Sequence, residues 1–127
     1  MKSWFIPGNV PSSKNSRQWT GKYFIASKST QKYRKDTEHF WKLYKDEFVE
    51  HLESLSKPYL IFFEFVRGTK HKFDYINPLQ TIQDEMVNHG WLSDDNADEI
   101  IPGIVPYSYS KDQPGVRIHL LEKDEQG

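Results

Sequence analysis

Residues 73–100 read FDYINPLQTIQDEMVNHGWLSDDNADEI, and this stretch decides the fold. Asn77 followed by Pro78 is typical of a helix start, with a capping side chain and a first-turn proline, while Gly90 is a typical stop. The pattern therefore predicts a helix from Pro78 to His89. It carries one apolar face and one polar face. The apolar face holds Leu79, Ile82 and Met86, with Gln83 at its edge, and the polar face holds Asn77, Gln80, Asp84 and Asn88.

Aspartates stand on both sides of this helix, Asp74 before it and Asp94 and Asp95 after it. A helix laid on a sheet could bring both acidic ends towards Asp84. Clustered carboxylates repel one another unless a cation joins them, and their hard oxygens are the ligands that Mg²⁺ prefers. The four aspartates are therefore a candidate Mg²⁺ site, able to support the activation of a water that attacks a phosphodiester. A salt-bridge network or simple solvation is the alternative for such acids.

Length and composition predict one domain over residues 1–127. A chain of 127 residues buries a real core, and its 4 Trp, 7 Tyr and 8 Phe can supply that core. The absence of cysteine excludes disulfides and cysteine-based zinc sites, and it fits a reducing compartment. The opening MKSWFIPGNVP is too poor in apolar residues for a signal sequence or a membrane span. We therefore expect a cytoplasmic protein with no membrane partner.

The charges are divided unevenly along the chain. Residues 1–72 carry 14 Lys and Arg against 7 Asp and Glu, whereas residues 73–127 carry 3 against 11. A basic surface from the first half could hold a polyanion while acids from the second half hold a metal beside it. The alternative is that the two halves only neutralise each other.

Two basic segments are candidates for contact with nucleic acid. The first, PSSKNSRQWTG at 11–21, is predicted to be a loop in which Lys14, Asn15 and Arg17 could contact phosphates while Trp19 stacks on a base. The second, RGTKHK at 67–72, sets Lys70 and Lys72 immediately before Asp74. An ordinary connector and a solvated turn are the alternatives.

Hydrophobic periodicity predicts an α/β or α+β fold in which two helices cover one mixed sheet. The strands are expected at 2–6, 22–26, 59–66, 100–109 and 116–121, with a helix at 29–52 besides the one described above. YLIFFEFV at 59–66 is expected to be central, and its Glu64 is either a satisfied acid or a further site carboxylate. Pro102 and Pro106 favour an edge position for the strand that contains them.

Several of these residues resemble the RusA family of phage and prophage Holliday junction resolvases. The resembling series is Asp74, Asn77, Asp84, Gly90, Trp91, Leu92, Asp94 and Asp95, preceded by KHK at 70–72, and PSSKNSR is similar to the family's Pro-Ser-x-Asn loop. The resemblance implies a RusA-like homodimer that cuts four-way DNA junctions in recombination and repair, using Mg²⁺ or Mn²⁺. It implies that Asp74 and Asp95 are catalytic metal ligands. The residues that we expect to bind DNA are Lys14, Asn15, Arg17, Lys70, Lys72, Asn77 and Gln80.

The chain departs from the family pattern at two positions. Ile76 stands where the family's third aspartate is expected, and Gln80 stands where members carry a lysine. Either Asp84, as a catalytic residue, or Asp94, as a metal ligand, completes the site and leaves an active endonuclease. Alternatively, the protein is a catalytically impaired relative that binds branched DNA without cutting it or acts as a phage interaction protein.

Overall fold

The computed structural model describes residues 1–12, 17–19 and 24–122, with the backbone alone for 17–19 and 24–26. Six strands and two helices lie within these residues. They are β1 (Lys2–Pro7), β2 (Arg17–Trp19), β3 (Phe24–Ala26), α1 (Lys28–Glu53), β4 (Tyr59–Arg67), α2 (Ile76–Asn88), β5 (Ile100–Tyr109) and β6 (Gly115–Leu120). No helix in these residues combines the length and apolar character needed to cross a membrane.

Four strands form one mixed sheet in the order β1-β6-β4-β5. β6 pairs antiparallel with β1 and β4, whereas β4 and β5 are parallel and joined by α2 as a crossover. The α+β fold with a mixed sheet and two helices is thus confirmed, as are the central place of β4 and the edge place of β5. β2 and β3 form a separate antiparallel pair. The expectation of a loop throughout 11–21 is therefore wrong at β2.

The hydrophobic core lies on one face of the sheet, beneath the helices. Along β4 the buried side chains alternate with half-buried ones, so only one face of this strand is fully buried. Trp91 follows α2 and inserts its ring between those of Trp41 and Phe48, with its Nε1 donating to the Trp41 carbonyl at 2.8 Å. Gly90 supplies the positive φ of 76° that turns the chain into this position.

A buried carboxylate joins the two helices. Glu85 of α2 is 1% exposed, and its Oε1 lies 3.0 Å from Nε of Arg34 on α1. Its Oε2 lies 3.3 Å from Nε2 of His89, and the Asn88 amide donates to Oε1 at 3.4 Å. Burial, with the nearby Glu85 charge as the second cause, raises the pKa of Tyr33 above its usual range. Glu85 therefore links α2 to α1 through its ion pair with Arg34.

The start of α2 differs from the sequence-based expectation. The helix begins at Ile76 with Tyr75 at the N-cap position and no capping side chain, so the assignment of Asn77 as the N-cap is wrong. The backbone N–H of Asn77 already donates to the Asp74 carbonyl at 3.2 Å, and that of Leu79 donates to the Tyr75 carbonyl. Pro78 is tolerated because a first-turn N–H has no intrahelical acceptor to lose.

Candidate nucleic-acid interface

An open cleft of about 560 Å³ lies where β4 ends and α2 begins. Its lining consists of Ser12, Lys70, His71, Lys72, Phe73, Asp74, Asn77 and Tyr107. The cleft therefore brings together four of the predicted site residues, Lys70, Lys72, Asp74 and Asn77. Two ammonium groups, a carboxylate and an amide in one cleft suit the binding of a phosphate backbone with a cation beside it.

Arg67 ties one wall of this cleft to the end of β4. Its side chain is buried, Nη1 donates to the Val10 carbonyl at 3.0 Å, and Nη2 donates to the Ser12 hydroxyl at 2.8 Å. Its guanidinium carbon lies 4.4 Å from the ring centre of Phe73, in a cation–π contact. Burial lowers the pKa of Arg67. Arg67 thus acts as a structural cation that holds residues 10–12 and the 68–73 loop together.

Three aromatic residues, Phe73, Tyr75 and Tyr107, pack edge to face beside the cleft, and we call them the aromatic group. The ring centre of Phe73 lies 5.2 Å from that of Tyr75 and 5.0 Å from that of Tyr107. The Tyr75 hydroxyl accepts a hydrogen bond from the Tyr107 backbone N–H at 3.0 Å. The group is therefore anchored to both β5 and α2.

The acids after α2 lie at the other end of the sheet. The backbone carbonyl of Glu99, next to β5, accepts a hydrogen bond from the Tyr59 N–H at the start of β4, whereas Asp74 comes after the end of β4. The nine residues of β4 span about 26 Å at the usual rise of a strand. Asp94 and Asp95 stand only five and four residues before Glu99, and the Asp94 charge acts on the Glu99 carboxyl, so this loop lies far from Asp74. A crossover between parallel strands separates its two ends in this way.

The expected convergence of the four aspartates therefore does not occur within one chain. Asp84 is half-buried in the middle of α2, and it does not line the cleft. Among the residues that the structure describes, no three His, Asp or Glu side chains are placed to share a metal ion. The cleft contributes Asp74 and Asn77 as oxygen donors, and the remaining ligands of a metal would have to come from elsewhere.

Asp94 is engaged in its own loop. Its Oδ1 accepts from the Asp95 N–H at 2.7 Å and its Oδ2 from the Asn96 amide at 3.0 Å. The first of these hydrogen bonds is the main cause, and the second a further cause, of a lowered pKa for the Asp94 carboxyl. Asp95 is half-buried beside it.

Where their side chains are described, the remaining predicted site residues lie outside the cleft lining. Gln80 is exposed one turn after Asn77 and lies outside the cleft lining. Lys14 and Asn15 lie outside the described residues, and only the backbone of Arg17 is described. Glu64 lies 3.0 Å from His119 and 3.6 Å from Arg117 on the sheet face away from the helices, so it is a satisfied acid.

Sequence reasoning missed four residues of the cleft, Ser12, His71, Phe73 and Tyr107. His71 stands between two nominated lysines, and that position was a usable signal. Tyr107 comes from β5, so only the tertiary structure brings it to the cleft.

Two comparisons with known proteins bear on family membership. The chain matches no protein-family model, and no curated protein matches it either. The likeness to RusA resolvases therefore rests on residues 70–95 and on the PSSKNSR segment.

Proposed function

We propose that this protein is a Mg²⁺-dependent endonuclease that cuts branched DNA, such as a four-way junction, in the cytoplasm during recombination or repair of phage or prophage DNA. The observation that carries the proposal is the cleft in which Lys70 and Lys72 stand beside Asp74 and Asn77. The lysines would hold the phosphates, and the oxygens of Asp74 and Asn77 would contribute to binding Mg²⁺ or Mn²⁺. A divalent cation bound there would supply an activated water and polarise a phosphodiester oxygen.

The proposed enzyme is a homodimer in which each cleft is completed by acids of the partner chain. β5 is an edge strand that runs from the Asp94 and Asp95 end of the sheet to the cleft end. Two copies placed side by side along β5 about a two-fold axis run in opposite directions, which brings the Asp95 end of one copy to the cleft of the other. Exposed Ile101 and Ile104 on β5 provide apolar surface for this contact.

A mixed dimer tests this arrangement. Asp74→Asn and Asp95→Asn chains, each with its own affinity tag, are purified alone and as a co-expressed heterodimer. Each variant alone should lose Mg²⁺-dependent cutting of labelled four-way junctions. The heterodimer should recover about half of the native rate, because one of its two shared sites keeps both carboxylates.

A matched variant of the same loop controls for the loss of a negative charge. Asp98→Asn changes an exposed acid of the same loop and should leave cutting unchanged. An inactive heterodimer beside an active native protein would place both aspartates in one chain's site and refute the shared arrangement. A native protein that cuts no junction at any Mg²⁺ concentration would refute the nuclease itself.

The second candidate is a protein that binds branched DNA without cutting it, and the exposure of Ile76 favours it. Ile76 stands in the first turn of α2, two residues after Asp74, and is 69% exposed. A carboxylate fits there without burial and is favoured near a helix N-terminus. Ile76→Asp should create Mg²⁺-dependent cutting if the native site is incomplete, and should leave the cutting rate level or lower if the site is already complete.

A further inference from the structure

Two exposed tyrosines lie at the end of β5, next to the basic cleft. Tyr107 is 52% exposed and Tyr109 is 44% exposed, both at the end of β5. Tyr107 lines the cleft together with Lys70 and Lys72. Exposed apolar surface that adjoins a concave site often marks a binding surface.

The ring of Tyr107 packs against two neighbouring aromatic rings. Phe73 meets it edge to face at 5.0 Å with an interplanar angle of 80°, and Tyr75 meets it at 6.3 Å. Its backbone N–H is fixed by the Tyr75 hydroxyl. A ring positioned in this way loses little conformational entropy when a ligand stacks on it.

Two lysines, Lys70 and Lys72, lie near the exposed tyrosines. The Lys70 ammonium lies 4.9 Å from the ring centre of Tyr109, and Lys72 also lines the cleft. Among the charged side chains that line the cleft, two lysines face one acid, Asp74. The charge therefore favours an anionic ligand over an apolar protein surface.

We propose that Tyr107 is a stacking platform for an unpaired base, so that the ligand of this cleft is DNA whose bases are splayed open at a branch point or in a single strand. The assignment rests on the proposed function only in taking DNA as the ligand. A nucleotide joins a flat aromatic base to a phosphate, and the cleft presents a ring beside ammonium groups. A continuous duplex hides its base faces within the stack, whereas an unpaired base exposes one.

The test measures binding without divalent metal, so that cutting plays no part. Three ligands of equal length are compared: a single strand, a four-way junction with one unpaired 2-aminopurine at its branch point, and a fully paired duplex. Tyr107→Phe keeps the ring, and Tyr107→Leu keeps apolar bulk without it. Tyr59→Leu is the matched control, since Tyr59 is a half-buried tyrosine at the opposite end of the sheet.

Tyr107→Leu should weaken binding to the single strand and the open junction roughly 5- to 150-fold, the range for losing one base–aromatic stack. It should also remove the quenching of 2-aminopurine fluorescence and leave duplex affinity unchanged. Tyr107→Phe and Tyr59→Leu should behave as the native protein. Urea unfolding of each variant verifies that it is folded.

Two results would overturn the platform. One is an equal loss of affinity for all three ligands in Tyr107→Leu, and the other is no loss for any of them. Either result beside intact Mg²⁺-dependent cutting leaves the nuclease standing. Quenching that depends on Tyr107 in a protein that never cuts DNA supports the platform and removes the nuclease. A native protein that binds none of the three ligands removes both.

Discussion

Replacing Glu85 with glutamine tests how the two helices are held together. Glu85→Gln preserves the shape of the side chain and removes the charge that pairs with Arg34. The Glu85 side chain is 1% exposed, so the amide that replaces its carboxylate stays buried. The contact joins α1 to α2, whose first turn lines the cleft.

The expected loss of folding free energy in Glu85→Gln follows from the unequal exposure of Glu85 and Arg34. Removing one member of a fully buried ion pair costs about 3–5 kcal/mol. The Arg34 side chain is 38% exposed, so it keeps part of its hydration when its partner is lost. The expected loss is therefore closer to that of one charged hydrogen bond, about 1.5–3 kcal/mol. For a domain of this size, that loss lowers Tm by about 5–15 °C.

Urea unfolding gives the measurement, as a lower midpoint with an unchanged m-value. Asp36→Asn serves as the control because it breaks the exposed Lys32–Asp36 pair within α1, which should contribute only about 0.3–0.5 kcal/mol. Added salt should shrink the control's effect more than that of Glu85→Gln, since exposed pairs are screened more strongly. Equal costs for the two variants would refute the assignment of Glu85 as the buried link between the helices.

Three further outcomes are expected. Replacing Lys70 and Lys72 together with Gln should flatten the slope of log affinity against log salt by about 1.8, measured on duplex DNA, because each lost phosphate contact contributes about 0.9; an unchanged slope places the contacts elsewhere. Gly103→Ala should destabilise the fold by about 1–3 kcal/mol in urea, since its Cβ would meet a Phe62 ring carbon at 1.8 Å, and Phe62→Leu in the same chain should recover part of the loss. NMR titration should find the pKa of Asp94 below its usual range. The stability that this shift contributes is present above the unfolded-state pKa and is lost as pH falls through the lowered folded-state pKa. A normal pKa for Asp94 would contradict the loop hydrogen bonds.

The fold was readable from sequence where local pattern and tertiary environment agree. Alternation with strong β-formers identified β4, and the two prolines of β5 pointed correctly to the edge of the sheet. β2 was missed because three residues among turn formers carry no alternation. The start of α2 was misplaced because Asn77 suits the N-cap position, yet the carbonyls of Asp74 and Tyr75 had already begun the helical turn.

The candidate site was predictable only where it is continuous in sequence. Lys70, Lys72, Asp74 and Asn77 lie within eight consecutive positions, and the structure places all four in one cleft. Asp95 belongs to the same linear series, but α2 crosses between parallel strands and carries it to the other end of the sheet. Spacing along a chain does not reveal this separation, and it does not reveal the approach of Tyr107 from β5.

The prolines of β5 also bear on how this protein avoids aggregation. The Glu99 carbonyl accepts a hydrogen bond from the Tyr59 N–H, so the backbone polar groups of residues 99, 101, 103 and 105 point towards β4. The backbone nitrogen of Pro102 therefore points to the free edge. Pro106 falls within the register shift, between Val105, which pairs with Glu64, and Ser108, which pairs with Val66. An exposed edge otherwise offers a row of N–H donors on which further strands can add without limit. The two prolines remove N–H donors from IIPGIVPYSY, an otherwise strongly β-forming run, and so hinder fibril-like growth. They leave the side chains of β5 available for a contact between two copies about a two-fold axis.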